Sequence, residues 1–386
     1  MIKRSTLTFT LIFFTVILYS SFLIYAEENG TDYDESTPSL YQAASVLVMC
    51  AETGEVFYET EGYTLRYPAS ITKVMTALLA LEYVQDLDEQ IVFSAYALDI
   101  PDYASRIWMN EGEAISVREA LYGIMLSSGN EVARALAEHV SGTVAQFVVR
   151  MNQRASEIGA VNTHFVNPCG LPGDGQYTTA YDVALIMQAA IRHPAFVEII
   201  STPYFEMPPT NRYRNPRSLR NTNRMIRPGE AAYHPYVIGG KTGFTNAAQH
   251  TLVSYVRKGS RRMIITVLYS YPRGAIFSDT AALIDHAYVV WAETERQREL
   301  QAAAEEAERL RAEEQALIAE LFENYESARL QEYELAQTQD DITYEYLANR
   351  RIFWIAGASL ITFILGLLCV SAIRRRRRRR RMRFRF

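Results

Sequence analysis

Between Pro68 and Leu81 the chain reads Pro-Ala-Ser-Ile-Thr-Lys-Val-Met-Thr-Ala-Leu-Leu-Ala-Leu. Alanine, leucine and methionine dominate, and no glycine or proline interrupts the run after its first residue, so the stretch reads as a largely buried helix. A proline at its head suits helix entry. The expected helix places Ser70 in its first turn and Lys73 one turn on. Residues three apart share a helix face, so hydroxyl and amine can meet. A lysine can serve as base to a serine nucleophile when its ammonium is destabilised. The positive end of the helix contributes to that destabilisation.

Ser-x-x-Lys alone discriminates poorly: it should arise about once or twice by chance in a chain this long. Taken alone, the motif is better accounted for by a serine near a helix start and a lysine reaching for solvent. The rest of the chain decides between the two readings. With 386 residues, 49% of them hydrophobic, it can build one large domain or two ordinary ones. The net charge of -5 conceals an arginine run, Arg374 to Arg381 with Arg383 and Arg385, so the remainder is acidic. Nucleic-acid binding by the folded part is therefore not expected.

Lys3 and Arg4 precede an apolar run from Leu7 to Tyr25, closed by Ala26 and two glutamates. That is the layout of a signal peptide over residues 1–26, which directs the adjoining domain out of the cytoplasm. Residues 27–39 read as an acidic linker. Cys50 and Cys169 could bridge in an exported protein, although a pair so far apart reads first as two buried thiols. Cys369 lies in a separate apolar span. The six histidines show no ligand spacing, so no metal is expected.

Ala43 to Cys50 and Val56 to Tyr58 read as a hairpin turning at Glu52 to Glu55. Helices are expected over residues 114–126, 131–139, 144–158 and 180–192, the last capped by Thr179, with Gly129 marking a sharp turn. Residues 167–175 form an irregular loop, and 203–235 a long surface excursion. A strand pair comes after Gly239-Gly240, and a helix over 277–293 closes the domain. Hairpin first, helices between, strands and a helix last define an α+β domain over residues 40–292, its antiparallel sheet completed from both ends. Beyond it, residues 293–351 turn rich in Glu, Ala, Arg, Gln and Leu, as in a long exposed helix with weak coiled-coil spacing. Ile352 to Ile373 gives 22 uncharged residues, long enough for a transmembrane helix. The arginine-rich residues 374–386 then form a cytoplasmic flank facing anionic membrane lipids. The chain is thus expected to sit in the cell membrane with the domain over residues 40–292 outside, the 293–351 segment acting as a stalk.

Two further signatures complete the set. Ser128-Gly129-Asn130 lies at a turn between helices, and Lys241-Thr242-Gly243 opens a strand. In this order the three mark serine β-lactamases and penicillin-binding proteins. Tyr67 to Thr76, Met125 to Glu131, Phe165-Val166-Asn167-Pro168, Asn221-Thr222-Asn223 and Gly240 to Thr245 together resemble the serine D-alanyl-D-alanine carboxypeptidases, the low-molecular-weight penicillin-binding proteins. The resemblance covers roughly Leu40 to Trp291. It implies that Ser70 attacks the bond between two terminal D-alanines of a peptidoglycan stem peptide, with Lys73 accepting its proton under the influence of the helix end and Lys241. It implies that Ser128 relays a proton to the leaving group and Asn130 holds the substrate backbone. Lys241 and Thr242 would take the terminal carboxylate, and Gly243 would let the strand come close to substrate. The N–H groups of Ser70 and Phe244 would hold the oxyanion. β-Lactam antibiotics are implied as inhibitors, and no cofactor is implied.

The chain departs from the family pattern at three places. Cys169 stands where histidine is usual, Cys50 where an acidic residue is common, and Ile276 where arginine commonly precedes the Phe-x-Asp of the closing helix. Arg273 is the candidate replacement for that arginine, and carboxylate affinity is the property at stake. Neighbouring functions remain open. A class A β-lactamase needs a deacylating glutamate, and residues 162–177 contain none. Endopeptidase or transpeptidase action on cross-linked stems uses the same acyl-enzyme, and a silent wall-binding module would not need Ser70, Lys73, Ser128, Asn130 and Lys241.

Overall fold

The computed structural model describes residues 41–338 and 354–366. The expected signal peptide, the linker, Cys369 and the arginine tail lie outside them. Two strands open the fold, β1 (Ser45–Cys50) and β2 (Val56–Thr60). A 3₁₀ turn, Ala69–Thr72, leads into α1 (Lys73–Tyr83). Strand β3 (Gln90–Val92), the short helix α2 (Ala95–Leu98) and β4 (Ala114–Ser116) precede α3 (Val117–Leu126). Next come α4 (Asn130–Ser141), α5 (Val144–Glu157), α6 (Ala180–Ala190) and α7 (Pro194–Ile200). The hairpin β5 (Tyr204–Met207) and β6 (Arg217–Arg220), then β7 (Val237–Thr245), β8 (Gln249–Lys258) and β9 (Arg261–Ser270), end in α8 (Ala275–Thr338).

The main sheet runs β2-β1-β9-β8-β7, antiparallel throughout, with β1 paired to β9. Strands from both ends of the domain therefore complete one sheet, as the α+β pattern requires. Every residue of β1 is buried because both faces are covered. Leu47 and Met49 face the core built with α1 and α3 to α7, whereas Val46 and Val48 face Leu283, Ile284 and Ala287 of α8. The two-residue pleat thus sends alternate side chains of one strand into two cores.

Several local expectations change. Residues 114–116 are a strand, because they pair with β3, and the helix starts only after Ser116. Ser116 accepts from the Glu119 N–H while Glu119 reaches back to the Ser116 N–H, a capping box. The excursion over 203–235 holds the β5–β6 hairpin and a 3₁₀ turn, Arg224–Ile226. Thr179 caps α6 by accepting from the Asp182 N–H at 3.0 Å, as its position suggested. Cys50 and Cys169 are free, buried thiols.

The described residues fall into two compact units, dividing between Glu295 and Arg296. In the second, the large apolar side chains of α8 at Leu310, Leu317 and Leu321 are exposed. Trp354–Gly366 is a shorter apolar helix, and no single helix among the described residues is long and apolar enough to cross a membrane. The remainder of the expected 352–373 span lies outside the described residues.

Candidate active site

Ser70 sits in the 3₁₀ turn, and Lys73 is the first residue of the α-helix proper. This differs from the expected single helix, and it improves the pairing. A 3₁₀ helix has three residues per turn, so residues three apart eclipse one another. Lys73 Nζ stands 3.1 Å from Ser70 Oγ. Ala69, just before the nucleophile, takes a left-handed backbone with φ 49°. Such a conformation costs energy in a non-glycine residue and persists only where the surroundings impose it. Here they do: the Thr251 hydroxyl donates to the Pro68 carbonyl, and Gly170 lies directly over the Ala69 carbonyl.

Lys73 is fully buried yet surrounded by acceptors. Its Nζ donates to Asn130 Oδ1 at 2.8 Å and to the Cys169 carbonyl at 2.7 Å, besides Ser70 Oγ. Burial pulls its pKa down to about 8, against the opposing influence of Cys169 and Glu131. Desolvation, rather than the helix end, is therefore the main cause. Asn130, the first residue of α4, donates both its backbone N–H and its Nδ2 to the Ser105 carbonyl, at 2.9 and 2.8 Å. That double contact turns Oδ1 towards the lysine.

Ser128 carries the left-handed backbone at the α3–α4 turn, with φ 62°, so the sharp turn belongs to the serine and not to Gly129. Its Oγ is buried and has no hydrogen-bond partner among the described residues. Gly129 is needed for space, since a Cβ there would stand 2.9 Å from Val132 Cγ2.

Strand β7 brings the remaining candidates. Lys241 is 1% exposed, and its Nζ donates to the Thr242 carbonyl at 2.9 Å. Burial first, and then the charge of Lys73, hold its pKa well below the usual lysine range. Thr242 Oγ1 lies 2.6 Å from Thr222 Oγ1. At Gly243 a Cβ would stand 2.8 Å from the Ser70 backbone nitrogen and 3.0 Å from Ala69 Cβ. The glycine lets β7 press against the nucleophile's own turn, a closer constraint than room for substrate. Phe244 is exposed and stacks on His250 at 4.6 Å. Burial and the guanidinium of Arg273 together hold His250 below its ordinary pKa, which brings Arg273 to this end of the strand.

Ser70, Lys73 and Asn130 thus meet through the hydrogen bonds of Lys73, and Gly243 packs on Ser70, with Lys241, Thr242 and Phe244 on the same strand; among the described residues no hydrogen bond of the Ser128 side chain joins it to them. Three residues had no role assigned from sequence. Thr222 was visible only as part of a polar triplet. Glu131 is buried, with Oε1 accepting from the Ile107 and Trp108 N–H groups. Asn167 organises the loop beside Lys73. Among the described residues no cluster of His, Cys, Asp or Glu could hold a metal ion.

A buried amine aimed at a half-buried serine hydroxyl, with a Lys-Thr-Gly edge strand packed against the serine's turn, has the form of an active-serine acyl-transfer site. A sequence profile of the D-alanyl-D-alanine carboxypeptidases matches residues 32–271, and the chain belongs to that family. It is 32% identical over 249 residues to the D-alanyl-D-alanine carboxypeptidase DacF of Bacillus subtilis, covering 63% of this chain and 60% of the relative. To DacB2 of Mycobacterium tuberculosis it is 32% identical over 246 residues, covering 63% of this chain and 80% of the relative. The solved Streptomyces K15 DD-transpeptidase superposes with TM-score 0.61 at 28% identity, over 66% of this chain and 99% of that one. The chain therefore spans less than two thirds of the Bacillus relative's length.

Proposed function

We propose that the protein is a serine D-alanyl-D-alanine carboxypeptidase that removes the terminal D-alanine of peptidoglycan stem peptides through an acyl-enzyme on Ser70. The observation that carries this reading is the way Lys73 is held. As an ammonium it has three N–H donors and three acceptors, Ser70 Oγ, Asn130 Oδ1 and the Cys169 carbonyl. Once neutral it keeps two N–H groups for the two carbonyl oxygens, and the lone pair is left facing Ser70 Oγ. With a pKa of about 8, about a tenth of the enzyme carries that amine at pH 7.

Ser70 Oγ bonds to the scissile carbonyl carbon as its proton passes to Lys73. The oxyanion is taken by the backbone N–H groups of Ser70 and Phe244. Ser128 Oγ hands a proton to the departing amine and recovers one from the Lys73 ammonium, the C–N bond breaks, and D-alanine leaves an ester on Ser70. Water, deprotonated by the regenerated Lys73 amine, then cleaves the ester, and that proton passes from Lys73 to Ser70 Oγ. The substrate carboxylate meets Lys241, the Thr242 and Thr222 hydroxyls, and Arg273 in place of the arginine lacking at Ile276. Lys241 and Lys73 are buried together and repel, so the free site resists holding two protons. A bound carboxylate favours the Lys241 ammonium, and that charge in turn favours the Lys73 amine.

The second reading, transfer of the acyl group to an amine acceptor, gains support from the likeness to the solved K15 transpeptidase. Mass spectrometry of muropeptides incubated with the full-length protein separates the two. Loss of one terminal D-alanine without new cross-links supports the carboxypeptidase, and new cross-linked dimers overturn it. The localisation forms part of the same proposal. In it the uncharged residues 352–373 are the membrane anchor, the arginines beyond them meet anionic lipids, and residues 293–351 link that anchor to the catalytic domain.

A further inference from the structure

We propose that Asn167 is the positioning residue of the general base: its side-chain amide folds residues 167–171 so that the Cys169 carbonyl is aimed at Lys73 Nζ, which holds the amine lone pair on Ser70 Oγ. The inference rests on the acyl-enzyme reading above and assigns a role to a residue that takes no part in the chemistry itself.

Asn167 Oδ1 accepts from three successive backbone N–H groups, those of Cys169 at 3.0 Å, Gly170 at 2.8 Å and Leu171 at 3.2 Å. Its Nδ2 donates to the Leu171 carbonyl at 2.9 Å. Three N–H groups converging on one oxygen force the intervening carbonyls to face away from it. The Pro168 carbonyl takes the Thr76 hydroxyl at 2.7 Å, and the Cys169 carbonyl takes Lys73 Nζ at 2.7 Å. Both partners belong to α1, one turn apart, so the loop lies along the helix that carries the base. Two further contacts fix its height. Gly170, with φ +81°, sits where a Cβ would stand 1.8 Å from the Ala69 carbonyl oxygen, and Cys169 Sγ donates to the Asn130 carbonyl at 3.3 Å.

An asparagine that closes a turn is ordinarily structural and nothing more. Here the product of the turn is one of only two carbonyl acceptors on the base. Without the Cys169 carbonyl the amine keeps one fixed acceptor, Asn130 Oδ1, and is free to rotate about its Cε–Nζ bond. Its lone pair then no longer points at Ser70. The ammonium also loses the negative end of a carbonyl dipole. The other charged or titratable groups that face Lys73 are Glu131 on α4, Lys241 on β7 and the Cys169 thiol; the first two stand outside the loop that Asn167 folds, and the thiol moves with it.

The test uses the full-length protein with two substitutions, Asn167→Ala and Asn167→Asp. The probes are a fluorescent penicillin and an N-acylated peptide ending in D-alanyl-D-alanine. Asn167→Ala is expected to slow acylation about 100-fold, the order that a 1 Å misplacement costs, at unchanged KM. The acidic limb of its pH–rate profile is expected to move to lower pH. Asn167→Asp keeps the acceptor for all three N–H groups and adds a negative charge beside the base. It is expected to acylate within about tenfold of wild type, with the acidic limb moved to higher pH. Acylation at the wild-type rate in Asn167→Ala, or an acidic limb unmoved in both variants, overturns the positioning role. If Asn167→Ala does not fold, the limb of Asn167→Asp alone decides. A wild-type protein that is not acylated removes the underlying reading instead, so the two failures are distinguishable.

Discussion

Gly243→Ala offers the sharpest test of how the site is built. The new Cβ would stand 2.8 Å from the Ser70 backbone nitrogen and 2.4 Å from Thr251 Oγ1. Ordinary contact begins at 3.4 Å, so the shortfalls are 0.6 Å and 1.0 Å. The hydroxyl can turn away, though it then gives up its hydrogen bond to the Pro68 carbonyl. The Ser70 nitrogen is backbone and can yield only if β7 or the 3₁₀ turn shifts. Overpacking of this kind costs about 1–3 kcal/mol of stability. A half-ångström displacement of the nucleophile's turn takes roughly the square root of the 100-fold penalty for 1 Å, so acylation should fall about tenfold. The rate of labelling by a fluorescent penicillin, measured with a thermal unfolding curve on the same sample, reads both effects. Labelling at the wild-type rate would show that the strand does not set the position of Ser70, and the close-approach reasoning would be wrong.

Ser70→Ala should abolish covalent penicillin labelling while leaving the unfolding temperature nearly unchanged, and persistent labelling would place the nucleophile elsewhere. Lys241→Ala should raise KM for a peptide with a free C-terminal carboxylate by about 10- to 100-fold, the worth of a charge-assisted hydrogen bond, and should spare the corresponding amide. An equal effect on both peptides would remove the carboxylate role. Acylation should rise with pH through about 8, because the Lys73 amine is the reactive form, and a profile flat across that range would contradict it. Arg217→Ala should cost about 3–5 kcal/mol, since it strands Glu113, which is 0% exposed and 2.7 Å from the guanidinium. Burial opposes the Glu113 charge, but Arg217, Thr210 and Asn110 outweigh it and hold its pKa below the usual 4.5. The ion pair's stability is therefore present above the unfolded value and lost as pH falls through the folded one, so acid unfolding of Arg217→Ala should lose that dependence.

What the sequence by itself determined was whatever depends on near neighbours. The Ser70–Lys73 spacing, the Thr179 cap, the buried run through Leu81 and the β1–β2 hairpin all involve residues a few positions apart, where backbone geometry leaves few choices. The candidate residues were legible for the same reason, as three motifs each only a few residues long. Beyond the joining of both domain ends in one sheet, tertiary structure decided what required separate segments to meet. Residues 114–116 leave the helix because β3, far back in sequence, supplies strand hydrogen bonds. Residues 204–207 and 217–220 form a hairpin for the same reason, inside a stretch whose composition suggests only a loop. Ser128 rather than Gly129 takes the left-handed backbone, and the glycine serves instead to leave room beside Val132. Most of all, the state of Lys73 is a property of the folded interior. Its low pKa comes from burial, and its aim comes from Asn130 and from the Cys169 carbonyl, 57 and 96 residues away along the chain. Cys169 looked like a departure from the family at a position without chemistry, because a sequence displays side chains. The group that acts there is its backbone carbonyl, and only the folded loop shows where a carbonyl points.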